Sequence, residues 1–274
     1  MADTRQPSSS VRAIDVHAHY GPHERKKSPL KDQFMSGSAA AVVARARQAN
    51  TEWTIVSPNK GLMPRFEADA AAGNAEAARI VPRTRGLLQW VIINPLQRKT
   101  YEQAEVRLRH PRCVGIKIHP EEHGYPIKRH GRALFEFAAK HRTVILTHSG
   151  ERNSLPKDFI PWANDFAEVR LILAHLGCGW DGDPSHQVRA IQASKRGNVF
   201  VDTSSAQCIM PNLIEWAVRE IGAERLLFGT DTPCYFAPMQ RARIDYAGIG
   251  DQDKRLILRE NALRLFGSER FQHS

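Results

Sequence analysis

The chain is poor in the features that assign a sequence quickly. Its four cysteines, Cys113, Cys178, Cys208 and Cys234, are spread through 274 residues and form no Cys-x-x-Cys pair. So few thiols in so long a chain argue against a disulfide scaffold. No segment approaches the roughly 20 continuous apolar residues of a membrane span, so a membrane is not an expected partner. Residues 1–10 are polar and lack the apolar core of a secretory signal. They read as a loose tail, and the expected compartment is cytoplasmic. No Gly/Ser-rich or Pro-rich tract divides the rest of the chain, and no strong repeat is visible. Residues 11–274 therefore read as one domain, with 42% hydrophobic content to fill a large core.

Acidic residues are in deficit: 29 Asp and Glu face 39 Lys and Arg, a formal net charge of +10. That surplus suits an anionic substrate. The basic residues are scattered, however, and the clusters Arg25-Lys26-Lys27 and Arg107, Arg109, Arg112 lack interleaved aromatics. Nucleic acid is accordingly not an expected partner. Cys113 sits in an apolar run and reads as core. Cys178 and Cys234 each follow a candidate site residue by three positions, which puts them near a pocket.

What the chain does contain is alternation. Short apolar runs at 11–16, 51–56, 86–93, 113–118, 143–147, 171–174, 199–202 and 225–228 read as strands. Between them, helical patterns fall at about 39–49, 66–79, 101–109, 131–140, 162–168, 185–195 and 212–221, with a last one at 253–266. Continuous Val/Ile/Leu runs mark strands buried on both faces, and helical returns favour parallel pairing. Eight such units fit a single (β/α)₈ TIM barrel, with a doubly wound open sheet as its rival. Residues 150–161 read as a polar, proline-bearing loop, and 233–250 as a mobile or substrate-shaping segment.

Polar residues interrupt the strand ends. Asp15, His17 and His19 share the parity of the first strand, so both imidazoles enter one interior space. Neutral imidazole suits zinc and other first-row ions. Asp15 either orients a ligand histidine or lies one layer deeper. His148 ends the fifth strand, His175 the sixth and Asp231 the eighth. In a barrel these ends converge at one mouth. A lone strand-end histidine is readily structural; His or Asp at the same relative place on four strands is hard to dismiss. Lys117 and His119 form another same-face pair, Lys117 being suited to a substrate carboxylate or a developing oxyanion. The bland reading of Lys117 is a packed stem with a solvated amine. His23 and His123 fall in loops without an assignment.

These segments together resemble the amidohydrolase superfamily, and within it the amidohydrolase-related branch of hydrolases, lactonases and nonoxidative decarboxylases. The resemblance runs from about residue 14 to 267. It rests on Asp15-Val16-His17-Ala18-His19, Gly115-Ile116-Lys117-Ile118-His119-Pro120, the paired His148 and His175, Phe228-Gly229-Thr230-Asp231, and Asn261 to Gly267 at the close. It implies that His17, His19, His148 and Asp231 bind one divalent metal, most often zinc, with manganese as the alternative. It further implies that His175 faces the water or substrate as an acid–base group. Two-metal members bridge their ions through a carboxylate or a carbamylated lysine, for which Lys117 is the matching residue. The one-metal branch carries a lysine there too, and one ion is the expectation.

The expected chemistry is attack of metal-activated water on an ester, lactone or amide of a small anionic molecule, with Asp231 taking the water's proton. His175 and Lys117 would then act on the oxyanion or a substrate carboxylate. The alternative is a metal-dependent nonoxidative decarboxylase or hydratase of a small unsaturated or aromatic acid, with Trp162, Trp180, Tyr235 and Phe236 available to flank a ring. A noncatalytic binding protein on a barrel scaffold is the reading from a different class. Assembly as a homo-oligomer is left open.

Overall fold

The computed structural model describes residues 10–205 and 209–272; Cys208, His273 and nearly all of the expected tail lie outside the described residues. Eight strands form one sheet: β1 (Ala13–Tyr20), β2 (Thr51–Pro58), β3 (Leu87–Ile92), β4 (Cys113–Ile118), β5 (Val144–Thr147), β6 (Arg170–Leu173), β7 (Val199–Asp202) and β8 (Leu226–Leu227). They pair in parallel in consecutive order, β1 to β8. Consecutive order is that of a barrel; a doubly wound sheet reverses direction at a switch point. The seam between the last and first strands is made by the chain just after β8. Val16 donates to the Phe228 carbonyl at 2.9 Å, Asp231 to that of His17 at 2.7 Å, and His19 to that of Thr232 at 2.6 Å. The fold is a distorted TIM barrel.

Helices cover the outside: α1 (Pro29–Phe34), α2 (Ala39–Gln48), α3 (Ala70–Ile80), α4 (Arg98–Arg107), α5 (Pro120–His123), α6 (Ile127–Lys140), α7 (Pro156–Asp165), α8 (His186–Ala193), α9 (Leu213–Ile221), α10 (Ala237–Asp245), α11 (Asp251–Arg255) and α12 (Asn261–Phe266). Their starts obey local chemistry. The Ser38 hydroxyl accepts from the Ala41 amide and the Asp69 carboxylate from that of Ala72, each satisfying an orphan donor of the first turn. Pro156 at the first position starts α7 within the stretch expected to be a polar loop. The segment 233–250, expected to be mobile or substrate-shaping, carries the helix α10.

The core has two layers. Inside the barrel, Ile14, Val16, Trp53, Ile55, Leu88, Trp90, Leu146 and Ile172 pack together, with Phe266 and Phe271 belonging to the same cluster. The second, larger layer fills the space between sheet and helices. Fully burying one such aliphatic or aromatic side chain contributes about 1.5–3 kcal/mol, so both layers hold the strand ends in register. Among the described residues no helix is long and apolar enough to cross a membrane.

Candidate active site

The C-terminal strand ends carry a dense group of buried polar side chains. Ligand atoms of His17, His19 and Asp231 lie within 4.8 Å of one another, and so do those of His17, His175 and Asp202. The strand parity of His17 and His19 holds, with ring centroids 5.2 Å apart. His175 and Asp231 both adopt left-handed backbone, φ +71° and +57°. Non-glycine residues there are strained, and such strain concentrates at functional sites.

A layer of acceptors behind the imidazoles decides which nitrogen each presents. His17 donates from Nδ1 to Asp202 Oδ2 at 2.8 Å. Its Nε2 is then a bare lone pair, which accepts from Lys117 Nζ at 2.9 Å. Burial, with the Lys117 charge beside it, pushes His17 down to about 3, so the ring is neutral. Burial likewise pulls Lys117 down to about 8, against the attraction of Asp202 and Asp231. His19 Nδ1 lies 3.1 Å from both the carbonyl oxygen and the hydroxyl of Ser57, and its Nε2 faces Asp231 Oδ1 at 3.1 Å. With the Ser57 hydroxyl donating to Nδ1, Nε2 donates to Asp231; with Nδ1 donating to the carbonyl, Nε2 is left as a lone pair for a cation.

Asp202 is fully buried at the end of β7. Burial alone would raise it, but the hydrogen bond from His17, with His175 and Ser204, holds it below the usual carboxylate range. Its Oδ1 accepts from the amides of His175 and Ser204, both at 3.0 Å, and from the Ser204 hydroxyl. With its proton committed there, Ser204 Oγ accepts from His175 Nδ1 at 2.7 Å. His175 Nε2 in turn accepts from His148 Nδ1 at 3.1 Å. The far nitrogen of His148, Nε2, is buried with no hydrogen-bond partner. Three imidazoles are thus held with Nε2 unprotonated, the form that binds a metal. The orphaned Nε2 of His148, the bare lone pair of His17 and the ionised carboxylate of Asp231 fit a divalent cation.

The expected residues meet in one cavity of about 330 Å³, which His17, His19, Lys117, His148, His175 and Asp231 all line. His148 stands outside both three-residue groups and stacks flat on His119, centroids 4.3 Å apart. Asp15 lies one layer deeper, accepting from the amides of His17 and Thr230 and from the Thr230 hydroxyl. Cys178 and Cys234 line the cavity as expected. Of the four aromatics named as ring-flanking, Tyr235 lines it and Trp180 lines an adjoining pocket of about 450 Å³. Trp162 packs against Gly131, and Phe236 is 61% exposed.

Sequence reasoning missed Asp202, Ser204 and a charged cluster at the cavity edge, where buried Glu122 accepts from Arg25 at 2.5 Å and Arg65 at 3.2 Å. Asp202 did end an expected strand, and that position was the available signal.

A family model described as amidohydrolase matches residues 14–268. The chain belongs to the amidohydrolase family. With that membership and the clustered donors, it is a metal-dependent enzyme of the amidohydrolase superfamily. No functionally curated protein matches it. Among solved structures it is similar to 2,6-dihydroxybenzoate decarboxylase from Rhizobium, with 17% identity, a TM-score of 0.70 and coverage of 94% of this chain and 99% of that one. It is also similar to 5-carboxyvanillate decarboxylase from Sphingomonas paucimobilis, with 14% identity, a TM-score of 0.70 and coverage of 94% and 99%. A third is a dihydroxybenzoic acid decarboxylase from Polaromonas sp. JS666, with 15% identity, a TM-score of 0.68 and coverage of 94% and 97%. At these identities the likeness is one of fold. This amidohydrolase shares their barrel over nearly its whole length.

Proposed function

We propose that the chain is a metal-dependent nonoxidative decarboxylase of a small aromatic or unsaturated carboxylic acid. The observation that carries the reading is the unprotonated Nε2 atoms of His17 and His148 on one cavity with His19, the Asp231 carboxylate and the Lys117 amine. His17, His19, His148 and Asp231 would hold one divalent ion, zinc or manganese; the Polaromonas decarboxylase was solved with bound manganese. When bound, such an ion polarises a carboxylate or carbonyl as a Lewis acid. Lys117 pairs with the substrate carboxylate. His175, oriented through Ser204 by Asp202 with Nδ1 donating, would take a proton from solvent on Nε2 and pass it to the carbon that keeps the electron pair as carbon dioxide leaves, returning to the neutral ring. Likeness to solved decarboxylases over nearly the full length of both chains favours this chemistry over hydrolysis.

The second reading, hydrolysis of an ester, lactone or amide, rests on Asp231. The hydrogen bond from His19 keeps its carboxylate ionised against the upward push of burial, so it can accept from a water molecule and orient it. In either case the reading is of residues 11–274 acting as one domain in the cytoplasm on a small anion, without nucleic acid.

The test is a panel of hydroxybenzoic acids, lactones and amides offered to zinc- or manganese-loaded protein, with carbon dioxide release and product followed together. Carbon dioxide from an acid, lost in His175→Asn and Asp231→Asn, is the expected result. Turnover of lactones or amides alone would replace the first reading by the second. Stoichiometric metal with no turnover of any class would end both.

A further inference from the structure

The loop after β1 adds a second histidine–carboxylate pair to the same cavity. His23, 2% exposed, lines it together with Lys27 and Lys31 from the same excursion. Its Nδ1 lies 2.7 Å from Asp32 Oδ1. Asp32 also accepts from the amides of Arg25 at 3.3 Å and Lys26 at 3.0 Å. These donors, the His23 ring first, hold the Asp32 carboxyl below its ordinary range, so it accepts and His23 Nδ1 donates. Among the described residues Nε2 has no partner, and it is not among the sealed, orphaned atoms. It is the ring's remaining polar atom, on a residue that lines the cavity.

The loop is built to hold that ring in place. Gly21 and Gly37 pair across its base at 2.7 and 3.2 Å. Ser36 accepts from the His23 amide at 2.8 Å and donates to the Asp32 carbonyl at 2.6 Å. Arg25 is tied to buried Glu122, and Lys26 to Glu67 at 2.8 Å. None of these bonds serves the His17, His19 and Asp231 group, and His23 belongs to neither three-residue cluster.

We propose that His23, oriented by Asp32 and flanked by Lys27 and Lys31, binds a second anionic group of the substrate, so that the preferred substrate is a small diacid. A carboxylate reaching Nε2 shares a proton with the imidazole, while Asp32 balances the charge from behind. The inference rests on the active-site reading above, but its test is at equilibrium and independent of turnover.

Zinc-loaded protein is titrated with benzoate and with isophthalate, which differ by one carboxylate. Wild type should bind isophthalate about tenfold more tightly, the order of one charge-assisted hydrogen bond. His23→Gln should bring the two within about twofold while leaving benzoate unchanged, and Lys27→Gln/Lys31→Gln should lower the preference in the same direction. The ¹⁵N shift of His23 Nε2 in wild type should move with isophthalate and not with benzoate, which decides the matter should His23→Gln fold poorly. Equal affinity of wild type for the two ligands, an unchanged ratio in the variants, or a still Nε2 resonance overturns the proposal. A failure to release carbon dioxide from any acid would sink the decarboxylase reading and leave this preference standing.

Discussion

Asp202→Asn is the sharpest perturbation this site offers, because the surrounding donors dictate how the new amide must sit. Three donors converge on Oδ1: the amides of His175 and Ser204 and the Ser204 hydroxyl. An asparagine therefore keeps its oxygen there and turns its NH₂ toward His17 Nδ1, which donates to the wild-type Oδ2 at 2.8 Å. Two donors now face each other. The ring can relieve this by moving its proton to Nε2, but that nitrogen then meets Lys117 Nζ, 2.9 Å away. Whichever nitrogen carries the proton, one donor–donor pair remains or the metal-binding lone pair is lost.

The backing carboxylate of a metal-bound histidine is typically worth about 10–100-fold in metal affinity, or about 1.4–2.8 kcal/mol. The doubly constrained ring puts Asp202→Asn toward the upper end. Competition for zinc against a chromophoric chelator at pH 7.5 measures this directly, with circular dichroism to show that the variant is folded. A folded variant whose zinc affinity stays within about twofold of wild type would refute the tautomer argument.

Lys117→Met tests the buried amine through pH. Burial lowers Lys117 to about 8, whereas an unfolded lysine titrates near 10.4. Between those values the unfolded chain holds a proton that the folded chain lacks, so wild-type stability rises with pH across that window, by roughly 3 kcal/mol. The methionine variant lacks this contribution. Urea unfolding with chelator present should show the wild-type-minus-variant difference climbing from pH 7.5 to 10.5, and a flat difference would be fatal. Gly115→Ala tests the barrel interior: a Cβ there would meet the Val144 carbonyl oxygen at 2.5 Å and the Trp90 ring at 2.6 Å. The expected loss is about 1–3 kcal/mol of unfolding free energy in urea, with the zinc site retained; an unchanged midpoint would contradict the packing described.

The strand-end residues were legible because parity and apolar runs are local signals. His17 and His19 are two apart, and His148, His175 and Asp231 each stand just beyond an apolar run. Asp202 ends such a run too, yet nothing local distinguishes it from a residue that merely starts a turn. Only the closed barrel brings it behind His17, 185 residues away. The pairing of His23 with Asp32 was equally hidden, since the two stand nine apart, one in irregular loop and one in a short helix, and share no period. The helix α10 was misread for another reason. It presents no clean apolar stripe, because it buries Arg241, whose guanidinium donates to Asp245 at 2.9 Å and to the Val11 carbonyl at 2.9 Å. A buried arginine with its acceptors looks polar in sequence and behaves as core in the fold.

The closing of the barrel and the building of the site are one event. The seam between β8 and β1 depends on the chain from Phe228 to Thr232, where the amides of Thr230 and Asp231 both donate to the His17 carbonyl, at 3.2 and 2.7 Å. Asp15 tightens the same join by accepting from the Thr230 amide at 3.0 Å. The side chains of His17 and Asp231 stand directly on it, so a cation held between His17, His19 and Asp231 would tie the first strand to the last. Its binding free energy would add to the closure of the barrel, since a ligand that binds only the folded state stabilises it in proportion to the logarithm of its concentration over Kd. The left-handed backbone of Asp231 belongs to this same turn, where the chain must both complete the seam and present a carboxylate to the cavity.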